Sequence, residues 1–200
     1  MTKMLWQSRA IALSTAVAVI CCTAANAQTH AQAQKKPAAK PAATAKPAAG
    51  PTAQAVLLGQ FGEWGAYTAS PDGKKVCFAL SKPTSAVIVP SNRKRDPSYA
   101  FVSTRPAEKV KDEVSVIVGY PQKTGIDATA TIGSTSYVMY TQNDGAWIKN
   151  AAEEAQMVET MRKGAEMVVK SESHSGAKTT DTYSLKGLGQ ALDKVAEECK

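Results

Sequence analysis

The sequence predicts an all-β-dominated protein, a β-sandwich that carries one internal helix and one C-terminal helix. Two observations support this fold class. Short β-prone runs follow one another from residue 61 to residue 149, with turns at intervals of roughly ten residues. The apolar residues take up helical spacing only at 150–163 and again at 188–199. A chain in which strands dominate and helices come late is typical of a sandwich rather than of an alternating α/β fold.

The strands of the first part are marked by alternation and by the proline or glycine at which the runs end. Residues 61–67 and 75–80 flank a turn at 70–73, so we predict that they pair as a hairpin. Further strands are predicted at 86–89, 99–104, 113–119, 126–132, 136–141 and 146–149. Asn143-Asp144-Gly145 supplies the turn between the last two of these strands.

The two helices have recognisable ends. Glu153 and Glu154 lie at the start of the first helix, and its basic last turn is followed by Gly164. Residues 166–171 and 179–185 are predicted to form a second hairpin. The C-terminal helix follows two closely spaced glycines, and its apolar residues share one face: Leu188, Ala191, Leu192, Val195 and Cys199.

Residues 1–27 have the three regions of a secretory signal peptide. Lys3 and Arg9 give a positively charged start, residues 10–22 are apolar, and Ala25-Asn26-Ala27 is a small-residue cleavage site. The apolar run is too short for a transmembrane helix. We expect cleavage after Ala27 and a periplasmic or secreted mature protein with no transmembrane segment.

Residues 28–54 consist mostly of Ala, Pro, Lys and Gln, and this composition predicts a disordered linker. The linker is either a spacer or a tether whose lysines contact anionic polymers. The net charge of +7 lies almost entirely before residue 55, because the signal peptide holds two cations and the linker four lysines. A near-neutral domain at 55–200 is not what a nucleic-acid-binding protein presents, so we expect no nucleic-acid partner.

Limited proteolysis of the mature protein tests this domain organisation. We expect the protease to remove residues 28–54 and to leave a resistant fragment that begins near residues 55–60, because unburied chain is cleaved first. N-terminal sequencing of the fragment locates its start. A resistant fragment that still begins at Gln28 would show that the linker is docked on the domain.

Two cysteines remain after removal of the signal peptide, which is an even number for an oxidising compartment. Cys199 lies on the apolar face of the terminal helix and therefore points at the protein body. Within residues 75–80, Val76, Phe78 and Leu80 share one face of the strand and Cys77 points to the other. If that triplet faces the core, the C-terminal helix covers the opposite face. We predict a disulfide between Cys77 and Cys199.

The loop at 91–98 carries the densest cationic cluster of the domain, Arg93, Lys94 and Arg95. This loop is a candidate anion-binding site, because guanidinium and ammonium groups bind phosphate and sulfate. The alternative is a solvated loop tip, which is favoured because Asp96 offsets part of the charge.

Three aromatic residues are candidate ligand contacts: Trp64, Tyr120 and Trp147. Their rings could form a face on which sugars stack. Such residues more often belong to the core or to half-covered positions of a sheet, and that interpretation is favoured.

No set of residues in the chain demands a reaction. His174 is the only histidine of residues 55–200 and lies in a polar turn, where a Ser–His–Asp site would need Ser173 and Asp181 beside it. A metal site needs several convergent ligands, and one histidine with two paired cysteines is too few. We therefore expect no catalytic residues, no metal and no cofactor, and we do not expect an enzyme.

Several segments taken together resemble one family of exported bacterial proteins. They are residues 61–64, Val76-Cys77-Phe78, residues 114–120, residues 161–167 and residues 183–192. The family that they resemble is invasion-associated locus B, and the resemblance covers nearly all of residues 61–199. It implies an immunoglobulin-like β-sandwich and supplies no established catalytic residues. The family name reflects a role of pathogenic members in host-cell invasion.

Two hypotheses about function follow. The first is an exported, non-catalytic binding or envelope-associated module with an unidentified envelope or host-surface partner. The second is an envelope hydrolase or redox enzyme. A redox role would require an exposed thiol of low pKa, usually in a Cys-x-x-Cys pair, and the two cysteines here are far apart in the sequence. The binding module is therefore favoured.

Overall fold

A computed structural model describes residues 55–200, and the predicted signal peptide (1–27) and linker (28–54) lie outside the described residues. The described chain is mostly β with one internal and one C-terminal helix, which confirms the predicted fold class. Its elements in order are β1 (Val56–Phe61), β2 (Trp64–Ala69), β3 (Val76–Ser81), β4 (Ser85–Val89), β5 (Tyr99–Arg105), β6 (Val110–Ile117), β7 (Ala128–Ile132), β8 (Thr135–Gln142), β9 (Gly145–Ile148), α1 (Ala151–Lys163), β10 (Glu166–Glu172), β11 (Lys178–Ser184) and α2 (Leu188–Glu198).

All the strands belong to one antiparallel sheet, in the order β1-β2-β3-β5-β6-β9-β8-β7-β10-β11-β4. β4 follows β3 after the short segment 82–84, yet it pairs with β11 at the far end of the strand order. A chain segment this short can join the two strands only if the sheet curls strongly. The indole Nε1 of Trp64 on β2 donates to the carbonyl oxygen of Ser184 on β11 at 2.8 Å, so β2 and β11 are also near each other in space. The two halves of the sheet therefore face each other as in a sandwich.

One predicted strand is divided in the structure. Residues 61–67 were predicted to be continuous, but a turn at Gly62 and Glu63 separates β1 from β2. Gly62 has a φ of 57°, in the left-handed region that glycine adopts at little cost. The following hairpin of β2 and β3 is paired as predicted, with Thr68 opposite Cys77.

The residue that precedes each helix suits the start of that helix. The Asn150 side chain caps α1 by accepting a hydrogen bond from the backbone N–H of Ala152 at 2.9 Å. Gly187 precedes α2 with a φ of 93°, and a Cβ placed there would lie 1.9 Å from the carbonyl oxygen of Phe61. Only glycine fits this contact between the start of α2 and the end of β1.

The predicted disulfide is present. The sulfur atoms of Cys77 and Cys199 are bonded, their Cα atoms are 5.9 Å apart, and both residues are buried. The bond fastens the end of α2 to β3, and the apolar face of α2 packs against β1, β2, β3 and β5. No helix among residues 55–200 has both the length and the apolar character that a bilayer crossing requires.

The C-terminal helix covers the face of β3 that holds Cys77, as expected, but this face, and not that of Val76, Phe78 and Leu80, belongs to the main core. Cys77 and Ala79 lie on the inner face, in the main core with the residues of α2. Phe78 lies on the outer face, where its ring stacks on that of Tyr67 at a centroid distance of 5.4 Å. Both faces of this strand are apolar, so alternation identified which residues lie together but not which set lies inside.

Candidate functional site

The loop between β4 and β5 holds the cationic cluster, and the structure divides the cluster into two parts. Arg93 and Lys94 are exposed at the tip, whereas the Arg95 side chain turns inward and is only 10% exposed. The backbone N–H of Arg93 donates to the carbonyl oxygen of Pro90 at 3.2 Å and closes the tip. The prediction of anion binding therefore continues to apply to Arg93 and Lys94.

Arg95 forms a bidentate ion pair with Asp181 of β11, whose side chain is 1% exposed. Nη1 donates to Oδ2 of Asp181 at 2.7 Å, and Nη2 contacts Oδ1. Nη1 also donates to the carbonyl oxygen of Val118 at 3.0 Å. The hydrogen bond with Asp181 raises the pKa of Arg95 above its ordinary value, so the guanidinium stays charged. Arg95 is consequently occupied within the protein and is not free to bind an external anion.

Backbone contacts hold the loop against the end of β6 as well. The N–H of Asp96 donates to the carbonyl oxygen of Gly119 at 2.9 Å. Gly119 has a φ of 77°, and a Cβ there would lie 2.0 Å from the carbonyl oxygen of Asp96. This approach is possible only because residue 119 is glycine. The loop is thus fixed directly after its exposed tip, and on the other side it follows β4, which pairs with β11.

A group of buried hydroxyls continues from this ion pair along β10 and β11. The Tyr120 hydroxyl is hydrogen-bonded to Ser171 at 2.5 Å and to Thr179 at 2.6 Å. Thr179, Asp181 and Tyr183 alternate along β11 and point to the same side, into the sandwich. Burial raises the pKa of the Tyr183 hydroxyl, which is therefore neutral at physiological pH.

Sequence reasoning did not find the ion pair between Arg95 and Asp181. The available signal was that Asp181 is in phase with Tyr183 and Leu185, which marks an acid on the inner face of a strand and therefore an acid that needs a partner. Its partner lies 86 residues away in a loop, where no periodicity indicates the direction of a side chain.

The residues considered for a Ser–His–Asp site are not brought together. Asp181 is buried and paired with Arg95, whereas His174 is exposed in the turn that joins β10 and β11. The Ser173 hydroxyl accepts from the backbone N–H of Ala177 at 2.9 Å and is hydrogen-bonded to Ser175. In the described part of the chain, no three or more His, Cys, Asp or Glu side chains are grouped as metal ligands would be.

The three candidate residues for sugar stacking also lie in separate places. Trp64 is fully buried, and the Tyr120 hydroxyl is directed into the buried group on β10 and β11. Trp147 alone lies on the outer face of the sheet, where it stacks on Tyr140 with ring centroids 5.7 Å apart. Sequence reasoning missed the other aromatic residues of that face, because β-strands with apolar residues on both sides do not reveal which side faces solvent.

Comparison with known proteins yields one family. The family model described as Invasion associated locus B (IalB) protein matches residues 64–196. The matched region runs from β2 through most of α2 and includes Arg95, Asp181 and Cys77. No curated protein and no solved structure matches the chain.

Proposed function

Because the chain belongs to the invasion associated locus B family, we propose that it is an exported, non-catalytic envelope protein that binds an anionic partner. The cations that make this contact are Arg93 and Lys94 in the loop between β4 and β5, assisted by the lysines of residues 28–54. The signal peptide predicted at 1–27 supports a periplasmic or secreted location. The partner is a phosphate-bearing or sulfated polymer of the envelope or of a host surface.

The observation that carries the proposal is the fixed position of the loop. The buried ion pair of Arg95 with Asp181 and the contact of Asp96 with Gly119 hold the loop directly after Arg93 and Lys94, which remain exposed. A ligand that binds such a loop does not have to order it, so less of the binding free energy is lost as entropy. The sandwich thus presents two neighbouring cations in a preorganised arrangement.

The enzymatic alternative lacks support because the groups that it needs are occupied. A Ser–His–Asp site would use Asp181, and that carboxylate is bound to Arg95. A redox site would use the thiols of Cys77 and Cys199, and these are joined in a buried disulfide. These occupied groups support a binding role.

The association of the mature protein with long-chain polyphosphate tests the proposal. Replacement of Arg93 and Lys94 by serine is expected to weaken the association roughly two- to thirtyfold, since exposed ion contacts contribute about 0.2–1 kcal/mol each. Raising the ionic strength is expected to weaken it further, because screening shortens the range of such contacts to about 8 Å at physiological salt. Isothermal titration calorimetry at two salt concentrations measures both effects.

A matched control removes two positive charges elsewhere. Lys163→Ser with Lys170→Ser lowers the net charge by the same amount but changes α1 and β10 instead of the loop. We expect this variant to bind polyphosphate nearly as well as the wild type. An equal loss of affinity in both double variants would show that only the net charge matters. Binding that is insensitive to salt would contradict the electrostatic mechanism.

A further inference from the structure

Six aromatic side chains lie on the outer face of the sheet, and we call them the outer aromatic face: Tyr67, Phe78, Tyr99, Phe101, Tyr140 and Trp147. Strand register places them on one side. Tyr67 lies opposite Phe78, and Leu80 lies opposite Phe101. The same register continues from Phe101 through Ser115 and Trp147 to Tyr140. The face therefore spans β2 to β8 as two groups of rings, with Ser115 of β6 between Phe101 and Trp147.

Two of the rings lie flat on the sheet because the residues beneath them are glycines. A Cβ added at Gly65 would come within 2.6 Å of the Tyr67 ring, and one added at Gly145 within 2.1 Å of the Trp147 ring. Any larger residue at these positions would tilt the rings away from the backbone. Each flat ring also stacks on a neighbour, Tyr67 on Phe78 and Trp147 on Tyr140. Tyr67 and Trp147 thus present broad faces rather than edges, whereas the Phe101 ring is tilted by 51° to those of Phe78 and Tyr99.

Within residues 55–200, neither helix covers this face. The buried residues of α1 and α2 belong to the core on the other side of the sheet, together with Cys77, Ala100 and Val116. Phe78 is 6% exposed because aromatic neighbours flank it, and the other five aromatic residues are half-buried. A face of this extent on the outside of a small domain marks an interaction site.

The charges around the outer aromatic face are largely compensated. Arg105 pairs with Glu113 at 2.8 Å at one end, and Lys149 pairs with Asp127 at 3.4 Å near the other. The Lys82 ammonium lies 5.8 Å from the centre of the Tyr99 ring. A lipid surface or a nucleic acid calls for a rim of unpaired cations, which these pairs do not provide. The near-neutral charge of the face instead complements an uncharged partner.

We propose that the outer aromatic face binds a chain of neutral sugar rings. The C–H groups on the face of a pyranose carry a slight positive charge and stack on the negative face of an aromatic ring. Five strand-to-strand steps separate β2 from β8, a span of roughly 24 Å at the usual strand spacing, which accommodates several sugar rings. This site is separate from the loop of Arg93 and Lys94 and does not depend on the function proposed for that loop.

Titration of the mature protein with the hexamer of N-acetylglucosamine and with cellohexaose tests the site. Isothermal titration calorimetry measures the affinity of every variant, including those that lack Trp147. In the wild type, a change in tryptophan fluorescence also reports on Trp147, because Trp64, the other tryptophan after residue 27, is buried. We expect saturable binding that is insensitive to salt. Tyr67→Ala and Trp147→Ala are each expected to weaken it about tenfold, since aromatic stacking is lost. Trp147→Phe keeps a flat ring over Gly145 and should retain most of the affinity. Its binding would show that the weaker binding of Trp147→Ala comes from the lost ring and not from misfolding.

The controls separate this site from the rest of the surface. Val87→Thr changes an apolar side chain that is 52% exposed on β4, at the other end of the sheet, and should leave binding unchanged. Arg93→Ser with Lys94→Ser should also leave it unchanged. Absence of binding to both oligosaccharides at millimolar concentration would overturn the proposal, as would equal binding by the alanine variants. A dimer in light scattering that Tyr67→Ala abolishes would likewise overturn it, since a second copy would then occupy the face.

Discussion

Replacement of Cys77 and Cys199 by alanine is expected to lower the free energy of unfolding by about 2–5 kcal/mol. The disulfide joins residues 122 positions apart, so it restricts the unfolded chain over most of the domain. In the folded protein it also fastens α2 over Trp64, Ala66 and Ala79 of the core. Urea unfolding of the mature protein, followed by circular dichroism, measures the difference.

Reduction of the wild type provides an independent check on this value. The reduced wild type and the double alanine variant should unfold at similar urea concentrations, because both lack the cross-link. Titration of the denatured, unreduced wild type should detect essentially no free thiol. Two reactive thiols in each mature chain, or an unchanged unfolding midpoint in the alanine variant, would contradict a stabilising disulfide.

Replacement of Asp181 by alanine is expected to destabilise the protein by about 3–5 kcal/mol, because it leaves the Arg95 guanidinium without its buried partner. Water cannot readily replace Asp181 as the partner of the guanidinium, since the Arg95 side chain is only 10% exposed. Its remaining hydrogen bond is to the carbonyl oxygen of Val118. We also expect the loop of Arg93 and Lys94 to become mobile, which amide hydrogen exchange detects as faster exchange at residues 91–98.

The double variant Arg95→Met with Asp181→Leu separates two contributions to the destabilisation. One is the loss of the ion pair itself, and the other is the cost of burying an unpaired guanidinium. Two apolar side chains of similar volume need no partner, so the double variant should be more stable than Asp181→Ala alone. Arg93→Ser with Lys94→Ser should leave the melting temperature nearly unchanged, because exposed charges contribute little to the free energy of unfolding. If Asp181→Ala lowers the free energy of unfolding by less than about 1 kcal/mol, the ion pair of Arg95 with Asp181 does not hold the loop.

The elements that sequence reasoning identified well are those with local signals. The acidic start, the basic last turn and the following Gly164 mark α1, and the apolar stripe of α2 is buried as predicted. The same stripe pointed Cys199 at the body of the protein, which led to the correct disulfide. These features depend on residues a few positions apart, where spacing alone determines the geometry.

The features that sequence reasoning missed depend on tertiary structure. The apolar residues on both sides of β3 hid which side carries the outer aromatic face. The strand expected at 61–67 is divided because the chain turns back at Gly62 to form the pair of β1 and β2. Arg95 was grouped with Arg93 and Lys94 because the three are adjacent, but only the curl of the sheet brings Arg95 to Asp181.

The most direct test of the proposed function is a titration of the isotope-labelled mature protein with polyphosphate, followed by nuclear magnetic resonance. We expect shift changes at the amides of residues 91–96, centred on Arg93 and Lys94, that disappear at high salt. The resonances of Asp181 and its strand should change little, because the ion pair with Arg95 stays intact. Shift changes confined to other surfaces, with the loop between β4 and β5 unaffected, would contradict anion binding by Arg93 and Lys94.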